Sequence, residues 1–274
     1  MFKIIIMALL IFIGMVGYDN ITDKAQPTTP VQQEQQKVSK HEKSAAMALF
    51  VSLLPPKEEW PSPVHKFYLA FNMDEVIDPI RQNPNWTGLD AMSRNIPQAL
   101  IAIEDHAFYN HGAIAVEGIL RAALANINAG EVVQGGSTLT QQFVKNVFLS
   151  HEQSMERKIE EAVLSLMLED NYSKDEILEL YLNTTYFGAG STGIKQASRT
   201  YFGKAPSALT LAEAAVIASL PYAPTGLNPL ENPAGCKKRQ LLVLAAMHKY
   251  GMINQGQLAE AKAEKIRLTN GTVM

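Results

Sequence analysis

Three times in the second half of the chain, a hydroxyl residue heads an apolar run and is followed three positions later by glutamate or glutamine. The pairs are Thr138 and Gln141, Ser173 and Glu176, and Thr210 and Glu213. At this spacing the hydroxyl accepts from the backbone N–H three residues on, and the longer side chain reaches back to the cap's own N–H. Such a box sets where a helix begins, so three of them commit much of the chain to helix. The neighbouring runs agree. "PQALIAIEDHAF" and "VEGILRAALANINAG" are helix-like, the second ending at Gly130 as a C-cap would. In "ERKIEEAVLSLMLEDN", residues Ile159, Ala162, Val163, Leu166 and Met167 fall at i, i+3, i+4, i+7 and i+8. That is the stripe of an amphipathic helix laid on a core. "SKDEILELYLN", "TLAEAAVIASL" and "GCKKRQLLVLAAMHKYG" extend the pattern. No series of alternating strand patterns occurs, so the fold is predicted to be mainly α.

The N-terminal end is different. "MFKIIIMALLIFIGMVGYDN" carries Lys3 and then an unbroken apolar or small run from Ile4 to Gly17. As a helix this run is about 21 Å long at ~1.5 Å per residue, shorter than a hydrocarbon core of ~30 Å. The length suits a signal peptide, yet no small-x-small cleavage site follows, so it is either an uncleaved anchor or a cleaved signal. Both export the rest of the chain and leave Lys3 on the cytoplasmic side. Residues 19–44 are polar and rich in Gln, Lys and Thr, as in a flexible tether. "AAMALFVSLL", stopped by Pro55 and Pro56, reads as a first core helix in preference to a patch resting on the membrane. Residues 45–94 then form a lead-in, residues 95–258 the main domain and residues 259–274 a tail.

A chain of 274 residues that is 47% hydrophobic is long enough for one good core. Its net charge of -3 gives no basic footprint for nucleic acid. The single cysteine, Cys236, excludes an intramolecular disulfide framework, and His106, His111, His151 and His248 lack zinc spacing.

Four features bear chemistry. "GGSTLTQQ" places Gly135 and Gly136, which permit a tight turn, before a capped helix. That turn is either an ordinary cap or an anion site built from free helix N–H groups, with Lys145 two turns on. It is not a Walker loop. Glu104 and Asp105 end the apolar run "ALIAI", where partial desolvation raises a carboxylate's pKa toward acid–base use; a solvated helix end is the alternative. Glu161 points away from the apolar stripe of its helix, with Arg157 and Lys158 nearby, either on a plain exposed face or lining a cleft. Two carboxylates in one cleft serve glycosyl transfer or hydrolysis.

Taken in order, these segments resemble the peptidoglycan glycosyltransferase domain, the lysozyme-like family of class A penicillin-binding proteins and monofunctional transglycosylases. "EDHAFYNH" is similar to its first motif at Glu104, Asp105, Phe108 and His111, and "GGSTLTQQ" to the second, with Lys145 and Asn146 just beyond. "RKIEE" resembles the third motif at Arg157, Lys158 and Glu161, "KDEILELYLN" the fourth and "RQLLVL" from Arg239 the fifth. The resemblance covers about residues 95 to 255.

The resemblance implies a mainly α, lysozyme-like glycosyltransferase domain behind an N-terminal membrane segment. It implies polymerisation of lipid II into glycan strands at the outer face of the bacterial cytoplasmic membrane, with release of undecaprenyl pyrophosphate. Glu104 would be the general base, and Glu161 would assist the leaving pyrophosphate through a divalent cation, Mg²⁺ or Mn²⁺. Lys145, Arg157 and Lys158 would neutralise phosphate charge. Asp105, Phe108, His111, Gly135, Gly136, Ser137, Thr138, Gln141, Gln142, Asn146, Tyr181, Asn183 and Arg239 would contribute to substrate binding. The implied partners are lipid II, the growing strand, the membrane, and proteins of cell-wall synthesis or division; nucleic acid is not among them. No Ser-x-x-Lys or Lys-Thr-Gly occurs, so no transpeptidase is expected. Three positions depart from the family pattern. Gly112 and Ala113 follow His111 in reversed order, Ala115 stands where an acidic or hydroxyl residue is usual, and Gln153 stands where a basic residue helps hold pyrophosphate. Losing one such contact weakens donor binding by ~1.5–3 kcal/mol. A catalytically weak lipid II-binding accessory of the cell-wall machinery is therefore the alternative reading, and a lytic enzyme that cuts glycan is a third.

Overall fold

The computed structural model describes residues 69, 72–115, 117–118, 136–149 and 154–274. The membrane or signal segment, the tether, the run "AAMALFVSLL", most of the helix expected to end at Gly130, Gly135 and Gln153 lie outside the described residues. Among the described residues no helix is long and apolar enough to cross a membrane.

The caps expected from sequence open their helices. Thr138 starts α3 (Leu139–Phe148), Ser173 starts α5 (Lys174–Thr184) and Thr210 starts α7 (Leu211–Ser219), each with both halves of its box formed. A cap of this kind contributes ~1 kcal/mol. The other helices are α1 (Asp74–Arg81), α2 (Asn95–Glu104), α4 (Met155–Asn171), α6 (Ile194–Phe202), α8 (Pro233–Lys249) and α9 (Gln255–Ala263). α9 also has a complete box, from Asn254 and Gln257, in which Asn replaces the hydroxyl residue. The described residues contain isolated bridges, Tyr186 with Thr192 and Arg267 with Val273, and no strand.

Two helix groups make the domain. α7 is buried all round, from Ala212 to Ser219, and packs on α2 and α8. α3 packs on α4 and α5, and a polar knot pins these three together. Thr140 of α3 donates to Glu169 of α4 at 2.6 Å, and Lys174 of α5 reaches the same oxygen at 2.7 Å. Fully buried Phe108, Leu139, Phe143, Leu168, Ile177 and Leu180 belong to the continuous core that joins the groups.

Two sequence expectations are corrected. "PQALIAIEDHAF" is not one helix: α2 stops at Glu104, Asp105 leaves helical geometry, and Phe108–Asn110 form a single 3-10 turn. Glu104 thereby sits at a helix terminus rather than inside one. The second correction is α4, which is turned about its axis. Ile159, Val163 and Leu166 are 63%, 49% and 53% exposed, while Glu161, Leu164, Ser165 and Leu168 are buried. Residues 161, 164, 165 and 168 also fall at i, i+3, i+4 and i+7, so the helix carries two usable stripes. The inward stripe contains a glutamate because its carboxylate meets two cations, Lys158 reaching it from the surface and Arg157 from a half-buried position.

Candidate active site

Glu104 ends α2 and meets the second helix group through its carboxylate. Gln142, on the first turn of α3, donates its amide Nε2 to Glu104 Oε2 at 3.0 Å. Tyr181 of α5 donates its hydroxyl to Gln142 Oε1, also at 3.0 Å. A phenol O–H pointing at Oε1 leaves Nε2 as the end that faces the carboxylate, so Tyr181 sets which way the amide lies. Tyr181 is fully buried, and that burial, with Glu104's negative charge second, drives its pKa far upward and keeps the phenol protonated. Glu104 itself retains some solvent access, yet desolvation by the surrounding protein is the main influence and raises its pKa above the ordinary 4.5. The Gln142 hydrogen bond, Arg239 and Lys145 act in the opposite direction, and Asp105 adds to the rise. A carboxylate held by a neutral donor, in a partly dry place, suits proton abstraction near neutral pH.

Asp105 is committed to the scaffold. Its Oδ1 lies 2.6 Å from His111 Nε2, and its Oδ2 accepts from the Leu139 N–H at 3.0 Å. The other His111 nitrogen lies 2.6 Å from the Gly112 carbonyl, so the ring is held between two oxygen partners. Two further donors at the head of α3 are also taken. Gln141 N–H bonds to Thr138 Oγ1 and Thr138 N–H to Gln141 Oε1, while Thr138 Oγ1 donates to the Ala113 carbonyl at 2.7 Å. Asp105 is thus an anion already seated at this helix terminus, on the Leu139 N–H. The reversed Gly112-Ala113 order is accommodated here: Ala113 is buried and its carbonyl receives Thr138, while a Cβ at Gly112 would meet nothing.

A second cluster gathers where α4 passes the start of α3. Glu161 is 2% exposed, and Lys158 Nζ donates to its Oε1. Arg157 lies 3.7 Å from its Oε2, and Lys158 also donates to Ser137 Oγ at 3.1 Å. Both carboxylates thus flank α3, Glu104 through Gln142 and Glu161 through the Lys158–Ser137 contact. Both Glu161 oxygens already face cations, so a divalent cation there would compete with Lys158 and Arg157 and draw its remaining ligands from water and phosphate oxygens.

Other expected site residues divide into two sets. Lys145 and Asn146 are exposed on α3, and Gly136 and Ser137 are half-buried just before its cap. Arg239 of α8 is partly buried within electrostatic reach of Glu104, with its guanidinium 4.1 Å from the ring centre of Tyr222. The Nε–H groups of Arg157 and Arg239 are buried without an acceptor. By contrast Phe108, Thr138, Gln141 and Tyr181 are buried and present no surface to a ligand, so they position rather than touch. Asn183 is also spent, bonded to both the N–H and the carbonyl of Thr87 and to the Glu179 carbonyl. Beside it, Glu179 accepts from the Trp86 indole and the Leu89 N–H, so the "KDEILELYLN" helix clamps residues 86–89. No sequence motif marks Tyr222, a solitary aromatic in the proline-rich stretch "LPYAPTGLNP", whose sequence signal is that isolation.

Comparison with known proteins places this geometry. A sequence model described as "Transglycosylase" matches residues 73–248. A candidate transglycosylase of Cupriavidus necator is 41% identical over 194 residues, covering 71% of this chain and 84% of that protein. Penicillin-binding protein 2D of Bacillus subtilis is 45% identical over 181 residues, covering 66% of this chain and 26% of its own length. Penicillin-binding protein 1A of Neisseria flavescens is 44% identical over 185 residues, covering 68% and 23%. The chain thus spans most of the first relative and about a quarter of each penicillin-binding protein. Glu104, Gln142, Glu161 and Arg239 all lie inside the matched region, and the chain belongs to the transglycosylase family, with a domain of the type carried by penicillin-binding protein 1A.

Proposed function

We propose that the chain polymerises lipid II into glycan strands, releasing undecaprenyl pyrophosphate. The observation that carries this reading is Glu104: a part-buried carboxylate with raised pKa, held by a neutral amide and faced by Arg239 and Lys145. In the transfer step, an acceptor sugar hydroxyl gives its proton to Glu104 as its oxygen attacks the donor's anomeric carbon. The bond from that carbon to the pyrophosphate oxygen breaks, and its electron pair leaves with the pyrophosphate. A positioned base supplies ~10²- to 10⁴-fold. The departing charge needs cations, and Arg157 and Arg239, whose Nε–H groups have no protein acceptor, supply two of them. Lys145 adds an exposed charge, whereas Lys158 is shared between Glu161 and Ser137. No step is assigned to a divalent cation; Glu161 is the carboxylate that would hold one.

The outward stripe of α4 supports work at a lipid surface. Ile159, Val163 and Leu166 are large apolar groups exposed on one face, near the cluster that would meet pyrophosphate. An apolar face of this kind suits a substrate whose tail lies in the bilayer. The test is polymerisation of purified lipid II by the full chain. Polymer is expected from the native protein and none from Glu104→Gln; polymer from that variant would remove Glu104 as base, and none from the native protein would remove the reading.

A further inference from the structure

Arg239 is unusual among the charged groups of the site. Its charge acts on Glu104 and its Nε–H is buried without an acceptor, so no hydrogen bond at that atom fixes the guanidinium in place. It lies against the face of Tyr222, at 4.1 Å. Among the described residues Tyr222 is the most exposed of the large hydrophobic side chains, at 67%, which is a poor position for an aromatic ring unless the ring has work at the surface. Its backbone, by contrast, is fastened. Leu220 is fully buried, the Ala223 N–H bonds back to the Leu220 carbonyl, and the Leu227 N–H bonds to the Ala223 carbonyl. Pro221 and Pro224 flank the ring on either side in sequence. Gly188, at φ +86°, lets the Pro224 carbonyl approach so closely that a Cβ would lie 2.3 Å from it. Further on, Asn232 donates to the Gly226 carbonyl and caps α8 through the Gly235 N–H. An aromatic ring on a stiff loop is a fixed plate over which an arginine rests, losing less freedom when substrate arrives.

We propose that Tyr222 is a positioning residue for glycosyl transfer, holding the Arg239 guanidinium over its ring so that the cation stays beside Glu104 with hydrogen-bond donors available to substrate. This rests on the glycosyl-transfer reading for its kinetic consequence, whereas its effect on Glu104 is independent of turnover. The ring face is what matters, so Tyr222→Phe keeps the function and Tyr222→Ala loses it.

The test uses the full chain with Tyr222→Ala, Tyr222→Phe, Arg239→Ala and the double variant Tyr222→Ala/Arg239→Ala. Glu104 is titrated by carboxyl-carbon NMR in each, alongside lipid II polymerisation. Tyr222→Ala is expected to shift the Glu104 titration upward, because a wandering guanidinium stabilises the carboxylate less, and to lower kcat/KM by roughly two- to fivefold, the range of an exposed cation–π contact. Tyr222→Phe should match the native protein in both, and the double variant should match Arg239→Ala alone. An unmoved titration in Tyr222→Ala would overturn the proposal. So would equal losses in the Phe and Ala variants, or a further loss when Tyr222→Ala is added to Arg239→Ala, since each means that Tyr222 acts other than through Arg239. A native protein that titrates as expected yet makes no polymer would sink the glycosyl-transfer reading and leave the Tyr222–Arg239 coupling standing.

Discussion

Glu104 faces a neutral amide, Gln142, whereas Glu161 faces two cations, Lys158 and Arg157. Both carboxylates come from helices flanking α3, and Glu161 is the more deeply buried of the two. Burial alone therefore does not decide what a carboxylate is for; the charge of its partner does. A neutral donor orients Glu104 and leaves much of its desolvation uncompensated, so it binds a proton more readily. At Glu161 the cations offset the loss of water, and the carboxylate serves as the anchor that collects positive charge near the head of α3.

Replacing each carboxylate by its amide separates the two roles. Glu104→Gln should lower polymerisation by ~10²- to 10⁴-fold, the worth of a general base. The same change should raise the melting temperature at neutral pH. Folding raises the Glu104 pKa, so the linked stabilisation is complete below the ordinary glutamate range and lost as pH rises through the raised value. At neutral pH the ionised carboxylate is a burden that the uncharged amide of the variant does not carry. In the native enzyme, kcat/KM should fall on acidification through a limb above pH 4.5, because the base works only when ionised. A melting temperature that drops in this variant would mean that Glu104 is stabilised by its surroundings as Glu161 is, and the contrast would fail. Glu161→Gln should act the other way, on stability first. Breaking a buried ion pair costs ~3–5 kcal/mol, but the Lys158 side chain is 46% exposed and can turn to water, so about 1–3 kcal/mol is expected in denaturant melts. A neutral result would show that the cations do not depend on Glu161.

The amide–phenol pair behind Glu104 offers a finer test. Tyr181→Phe removes the donor that sets Gln142, leaving Oε1 without its partner and free to swing toward Glu104, where it would repel the carboxylate. Polymerisation should fall about tenfold, the kinetic equivalent of one hydrogen bond of ~1.4 kcal/mol. The acid limb should move with it, since the partner that lowers Glu104's pKa is misplaced. A slower enzyme with an unmoved limb would show that Tyr181 merely fills space.

The legibility of these features follows from their range along the chain. A helix cap is decided within four residues, so the boxes at Thr138, Ser173 and Thr210 are legible in the sequence, and the one at Asn254 is less conspicuous because Asn stands in for a hydroxyl residue. The Gln142–Glu104 bond joins residues 38 apart and depends on how two helix groups meet, which periodicity does not encode. The motif resemblance brought Asp105, Phe108 and Asn183 into the site without showing that their work is internal. Asp105 caps α3, Phe108 fills the core and Asn183 clamps Thr87. Tyr222 had no motif to mark it, because an exposed aromatic acquires meaning only from the guanidinium lying on it.

A near-neutral substitution, Val163→Ser, bears on the comparison most directly, because it asks whether Glu161 is inside at all. Counting apolar residues favours the stripe through Ile159, Val163 and Leu166, and a helix seated on that stripe would hold Glu161 in water. The structure seats α4 on Leu164 and Leu168 instead, and Ser165 bonds back to the Glu161 carbonyl on the same buried face at 2.6 Å. The transfer energy of three apolar side chains argues against such an arrangement unless the ion cluster is strong or the outward stripe meets something apolar. Val163→Ser and Leu168→Ala distinguish the two seatings in a denaturant melt of the protein in solution. With α4 as described, Val163→Ser should stay within ~0.5 kcal/mol of native and Leu168→Ala should cost ~2–5 kcal/mol. The reverse pattern would return Glu161 to the solvent face, leave Lys158 and Arg157 with an ordinary surface partner, and reduce the two carboxylates to one buried group and one exposed one.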